Sequence, residues 1–332
     1  MVLSIFKKSY FIQISWIIIF SILLAIPSFF QSYTLFIPKS TIFLKLICFY
    51  PWFKISWLYQ FVSYLLLLAF SFYFKRFLAS NLLISRHNFI PSLLVLLLFN
   101  VFHPFQYQVL SIIFIFLLTI SVSFLLKSSE DEIPDNNIFG AALSLSLASF
   151  LSYSAIILFP IIWISFLIFK TLKIRYLFMT LIGLAIPYIF LLTYLFWCDS
   201  LDVLFQEINN IETHYFHIYH ISGLFNLAIL FLLVFFTFLS LSKIISETSS
   251  KLIEIRRKTI LFLWIFAFGL YTFIFYPDTI SNSIIIIAFP AILGHYLIGI
   301  KKQRLWIDFI FTILLILIII NRYTYVIESF LN

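Results

Sequence analysis

The position of the basic side chains narrows the folds open to this chain more than any other feature. Apolar runs of membrane-crossing length follow one another, and Lys and Arg sit between them in clusters that alternate with nearly uncharged connections. A soluble chain keeps about a quarter of its residues charged to face water. Here 10% are charged and 63% are hydrophobic, with a mean hydropathy of +1.12. That inventory cannot clothe a water-facing surface, whereas lipid tails are themselves apolar. The fold class expected is all-α: a polytopic transmembrane helix bundle forming a single integral-membrane domain over 1–332.

A crossing helix needs about 20 apolar residues to span a hydrocarbon core of about 30 Å. On that scale spans are expected near 10–30, 56–74, 89–102, 109–126, 138–152, 154–169, 176–197, 222–241, 259–275, 280–299 and 305–321, about eleven in all. The segment 89–102 is short, and 138–169 reads either as a hairpin or as one long tilted helix. Charge separates the two. With the N-terminus inside and 138–169 a hairpin, 17 of the 21 Lys and Arg fall on the inner side. Only Lys39, Lys45, Lys54 and Arg322 fall outside, a strong positive-inside split. Merging 138–169 would put Lys170, Lys173 and Arg175 outside and invert every later loop, so the hairpin is expected, with the C-terminus outside. The first span, behind Lys7 and Lys8, reads as an uncleaved signal anchor. Inner loops are expected at 75–88, 127–137, 170–175, 242–258 and 300–304, and longer outer segments at 31–55 and 198–221.

Several function classes are set aside by the same reading. The net charge of +8 invites nucleic acid as a partner, but the charges sit in short clusters between apolar runs, so none is expected. Cys48 and Cys198 offer neither a CxxC spacing nor a disulfide framework. Acids are nearly absent from the spans, which counts against an ion-coupled transporter. No GxxxxGK[ST], HExxH or GxSxG motif occurs. Gly140, Ser144, Ala148 and Ser152, four apart, form a small-residue stripe that lets another helix approach. Glu254 and Lys258 are spaced to pair along a helix.

Chemistry is sought in the outer segments. Between 198 and 221, Asp199, Asp202, Gln206, Asn210, Thr213, His214, His217 and His220 fall within an arc of roughly 120° on a helical wheel, opposite an apolar face. This predicts an amphipathic helix lying on the membrane surface near 199–221. On that helix His214 and His220 point about 120° apart, so the three imidazoles do not converge. A divalent metal would have to use two of them with Asp202 or Glu207; no metal site and no cofactor is expected. Segment 31–55 carries Lys39, Lys45 and Lys54, ammonium groups suited to a lipid phosphate or to headgroup anchoring.

The stretches NIFGAALSLSLASFLSYSAIILFPIIWISFLIF (137–169) and LKIRYLFMTLIGLAIPYIFLLTYLF (172–196) resemble a family of bacterial multi-pass inner-membrane proteins. Remotely, over 137–196, they resemble the middle of the GT-C class of membrane glycosyltransferases. That resemblance implies a bacterial cytoplasmic membrane and a polyprenyl phosphate or lipid-linked glycan bound or processed at the outer face. It also implies a catalytic Asp or Glu in the first outer loop, and 31–55 holds none. The acid–base groups are then expected to be Asp199, Asp202 and His217. Lys39, Lys45, Lys54 and Arg322 would meet the lipid phosphate. The alternatives are a non-catalytic subunit beside a membrane-protein partner, and a transporter or flippase for a lipid or apolar solute.

Overall fold

Apolar runs that must satisfy their own backbone in lipid have two solutions, the helix and the closed barrel. In the computed structural model every regular element among the described residues is helical. Those residues are 6, 10–29, 56–85, 87–102, 108–128, 134–199, 224–247, 252–275, 280, 282–298 and 305–331. The helices are α1 (Tyr10–Phe29), α2 (Ser56–Ser80), α3 (Ile90–Phe102), α4 (Gln108–Ser128), α5 (Asp135–Ser149) and α6 (Ser154–Ile157). They continue with α7 (Phe159–Phe169), α8 (Ile174–Trp197), α9 (Leu224–Glu247), α10 (Ile253–Phe275), α11 (Ser283–Ile298) and α12 (Leu305–Leu331). Seven of them, α1, α2, α4, α8, α9, α10 and α12, are long and apolar enough to cross a membrane. Large apolar side chains such as Phe190, Phe231 and Phe238 point outward, as a lipid-facing surface requires. The segments 31–55 and 200–221, with the surface helix expected there, lie outside the described residues.

The remaining helices are 16 residues or shorter, and burial explains two of them. In α3 every residue from Ile90 to Asn100 is buried, and so is every described side chain of α11. A helix that is apolar on all sides is a core helix. At 13 and 16 residues they rise only about 20 and 24 Å. Helices enclosed by others need not match the lipid thickness; the longer ones around them do. A buried helix start must still satisfy its free N–H groups. In α3 the Ile90 N–H donates to Asn88 Oδ1 at 3.0 Å, and the Phe89 N–H donates across to Gln13 Oε1 of α1 at 3.2 Å.

The stretch 134–199 shows the reversal that charge implied. Arg175 pairs with Asp135. Ser146 Oγ donates to the Leu184 carbonyl at 2.8 Å, and the Ser149 and Tyr188 hydroxyls meet at 2.6 Å, so α5 and α8 run parallel. Trp163 Nε1 donates to Thr180 Oγ1 at 3.2 Å, and Phe166 packs on Tyr176, so α7 runs antiparallel to α8. The chain therefore turns back between α5 and α7. The small-residue stripe serves only half of the packing. A Cβ on Gly140 would lie 3.1 Å from the Phe124 ring of α4. The close approach to α8 lies off the stripe, at Ala142 against Gly183. Two residues turn a helix through about 200°, and α5 is sandwiched between α4 and α8, so both of its faces need small side chains.

Lys170 closes α7 in the left-handed region at φ 60°, and the Thr171 N–H donates back to the Phe166 carbonyl at 3.0 Å. A side chain at this position strains the backbone, and glycine does not. Lys170→Gly is expected to stabilise the protein by about 1 kcal/mol. A melting temperature in detergent no higher than that of the parent would contradict this.

Long-range contacts sort the helix ends. Lys75 near the end of α2 lies over the rings of Tyr10 and Phe89, at the starts of α1 and α3. Phe77 packs on Phe262 of α10, and Lys243 of α9 lies over Tyr296 of α11. Ten of the eleven described Lys and Arg fall on the turns and helix ends gathered here. Lys258 is one of them; its Nζ meets Glu254 Oε1 at 2.6 Å. The pair forms as its spacing implies, and Lys258 is buried at 1% exposure. The eleventh basic residue is Arg322.

Candidate functional site: a buried arginine at the opposite end

An ionisable side chain within an apolar span is costly to keep from water, and so marks a site worth examining. Arg322, near the end of α12, is 5% exposed. Its Nη1 donates to the Asn100 carbonyl at 3.3 Å and its Nη2 to the Tyr64 hydroxyl at 3.4 Å. Asn100 lies in the last turn of α3, where backbone carbonyls lack helical donors and the helix dipole is negative. A guanidinium suits that place on both counts. Tyr64 passes the contact on, its hydroxyl donating to the Leu24 carbonyl of α1 at 2.9 Å. Its oxygen also lies 3.1 Å from Asn100 Oδ1. One turn before Tyr64 sits Gln60, 2% exposed, whose Oε1 accepts no hydrogen bond from the described residues.

The neighbours of Arg322 on α12 are engaged as well. Asn321 Nδ2 donates to Asn226 Oδ1 of α9 at 2.9 Å, and the Tyr323 hydroxyl donates to the Leu23 carbonyl of α1 at 3.1 Å. Three successive residues step about 100° each, so α9, the α2–α3 pair and α1 are reached from one turn. The Leu23 contact has a covalent cause. Pro27, inside α1, has no N–H, which leaves the carbonyl four residues earlier without its helical donor. Tyr323→Phe is therefore expected to cost about 1 kcal/mol. In a Pro27→Ala background the restored N–H takes over and the cost should shrink. Equal costs in both backgrounds, read from a double-mutant cycle of thermal unfolding, would refute this coupling.

The residues singled out from the sequence are distributed unevenly. Arg322 is buried among neutral acceptors rather than set in a loop. Asp199 is exposed just past the end of α8, in the left-handed region at φ 50°. Its helix packs on α5, while α12 packs on α9, α1 and α3. Lys39, Lys45, Lys54, Asp202 and His217 lie outside the described residues. The residues that sequence reasoning missed are Tyr64, Asn100 and Gln60. A signal for them existed: uncharged polar side chains inside apolar runs, with Gln60 and Tyr64 four apart on one face of α2. Comparison with protein-family models, with curated proteins and with solved structures returned no match.

Proposed function

We propose that this multi-pass protein lies in the bacterial cytoplasmic membrane with its N-terminus inside and about eleven crossings, the short helices included. At its outer end it binds or processes a polyprenyl-linked glycan, in the manner of the GT-C class it resembles. The observation that carries the reading is the guanidinium of Arg322, buried at the end otherwise free of described Lys and Arg. Arginine is the residue best shaped to grip phosphate oxygens through paired donors. Gln60 adds an acceptor with no donor among the described residues, the complement of a sugar hydroxyl. The segregation of the other described basic residues supports the orientation. In this reading Asp199, Asp202 and His217 provide acid–base groups, and Lys39, Lys45 and Lys54 add charge for the phosphate.

The test is the profile of lipid-linked glycan intermediates in cells. Asp199→Ala with Asp202→Ala should make a polyprenyl-linked precursor accumulate, and Arg322→Lys should lower the amount of such lipid copurifying with the protein. An unchanged profile in the double variant removes catalysis. Unchanged copurification in Arg322→Lys removes the binding reading as well. A non-catalytic subunit is the second reading, favoured by the absence of any Asp or Glu from 31–55, where the GT-C resemblance would put a catalytic acid. Tolerance of both acid substitutions, together with a stable copurifying membrane protein, would select it.

A further inference from the structure

We infer that the basic end carries a second site, distinct from the Arg322 cluster, for the headgroup of an acidic phospholipid. Its frame is an open cavity of about 970 Å³ between the start of α1, the end of α2 and the turn leading into α3. Lys75, Arg76 and His87 line it, and among the described residues no carboxylate does. The contrast with neighbouring charges at the same end is informative. Arg175 is neutralised by Asp135 and Lys258 by Glu254, whereas neither Lys75 nor Arg76 pairs with a described acid. Two adjacent cations are left facing one cavity.

The walls indicate which anion enters. Lys75 Nζ lies 4.0 Å from the Phe89 ring centroid and 5.4 Å from that of Tyr10, so both π faces already hold a cation. A choline ammonium would compete with Lys75 for those rings. A phosphate meets Lys75 and Arg76 without displacing anything. The volume exceeds that of a lone phosphate and falls in the range of sites that take a whole headgroup. Ile14 and Phe72 continue the cavity as an apolar wall, and beside it Phe11 and Tyr10 are 79% and 54% exposed, in position for acyl chains. A lipid therefore fits both surfaces, where a free phosphate ester fits only one. The occupant is a net-anionic lipid of the adjoining leaflet, of the phosphatidylglycerol type. Two basic groups near an anionic headgroup predict a preference of about 10- to 30-fold over a zwitterionic lipid.

Native mass spectrometry of the full chain with equal dioleoyl phosphatidylglycerol and dioleoyl phosphatidylcholine reads this directly. The wild-type protein should retain the glycerol lipid by that margin. Lys75→Gln with Arg76→Gln should lose most of it, and Lys170→Gln with Lys173→Gln, exposed at the same end, should keep it. Should the double variant not fold, Arg76→Glu alone changes only an exposed side chain and should still reduce the preference several-fold. The proposal is overturned if the wild type shows no preference or if the cavity variants retain it in full. It is equally overturned if millimolar sn-glycerol 3-phosphate displaces the lipid as well as phosphatidylglycerol does.

Discussion

Gly183→Ala is expected to destabilise the protein, although the same change in a free helix would help it. Glycine inside a helix costs about 1 kcal/mol relative to alanine, so propensity alone favours the substitution. Packing opposes it. A Cβ at 183 would lie 2.9 Å from Ala142 Cβ and 3.1 Å from the Phe139 carbonyl oxygen, with the Phe139 ring at 3.3 Å. The two nearest atoms are a methyl fixed to the backbone and the backbone itself, so neither can rotate away. Overpacking of this kind costs about 1–3 kcal/mol. Gly183→Ala should therefore come out destabilising by about 1 kcal/mol, and Gly183→Leu by several times that, with loss of the α5–α8 contact. Adding Ala142→Gly relieves only the methyl conflict and should recover only part of the loss. Denaturation in mixed detergent micelles measures the series. A Gly183→Ala variant as stable as the parent would mean that α5 and α8 do not meet at this residue.

Arg322→Ala is the second large effect. It strips a donor from the Asn100 carbonyl at a buried helix end and another from the Tyr64 oxygen. Leaving buried acceptors without donors, at a helix terminus whose dipole favours a cation, is expected to cost about 2–4 kcal/mol. Arg322→Met fills similar volume without donors and should recover little. Arg322→Lys keeps the charge but has no planar fork with which to reach two acceptors at once, and should fall between. Thermal unfolding of the three variants in one detergent orders them. If Met matches the parent, the guanidinium contributes by packing alone. Should Ala and Lys destabilise equally, the charge contributes nothing.

These two residues illustrate what could be read in advance. Gly183 is one of six glycines, but nothing in its local pattern names Ala142 as its neighbour. The stripe at Gly140, Ser144, Ala148 and Ser152 did announce that α5 would be closely packed. It could not announce that α4 takes Gly140 while α8 takes Ala142, because a stripe is a property of one helix and a sandwich of three. The turn-back within 138–169 was legible for a different reason. Lys170, Lys173 and Arg175 can be weighed against other loops without knowing any contact. Arg322 was recognised as an exception, but its surroundings were not. Gln60, Tyr64 and Asn100 are uncharged and pass unnoticed when only ionisable groups are sought inside the apolar runs.

By itself the sequence determined that the described chain is helical, where its long apolar helices run, and that the other described basic side chains are set apart from Arg322. Run length and charge order act within or between neighbouring segments, so they survive without a fold. Only the tertiary structure decided that Arg322 is buried, and that it joins α12 to residues 222 and 258 positions earlier. It also decided that Tyr323 answers the carbonyl freed by Pro27. These contacts depend on which helix stands beside which. In an apolar surrounding the hydrophobic pattern is much the same on every face, so periodicity cannot choose the neighbours; close packing and buried hydrogen bonds do.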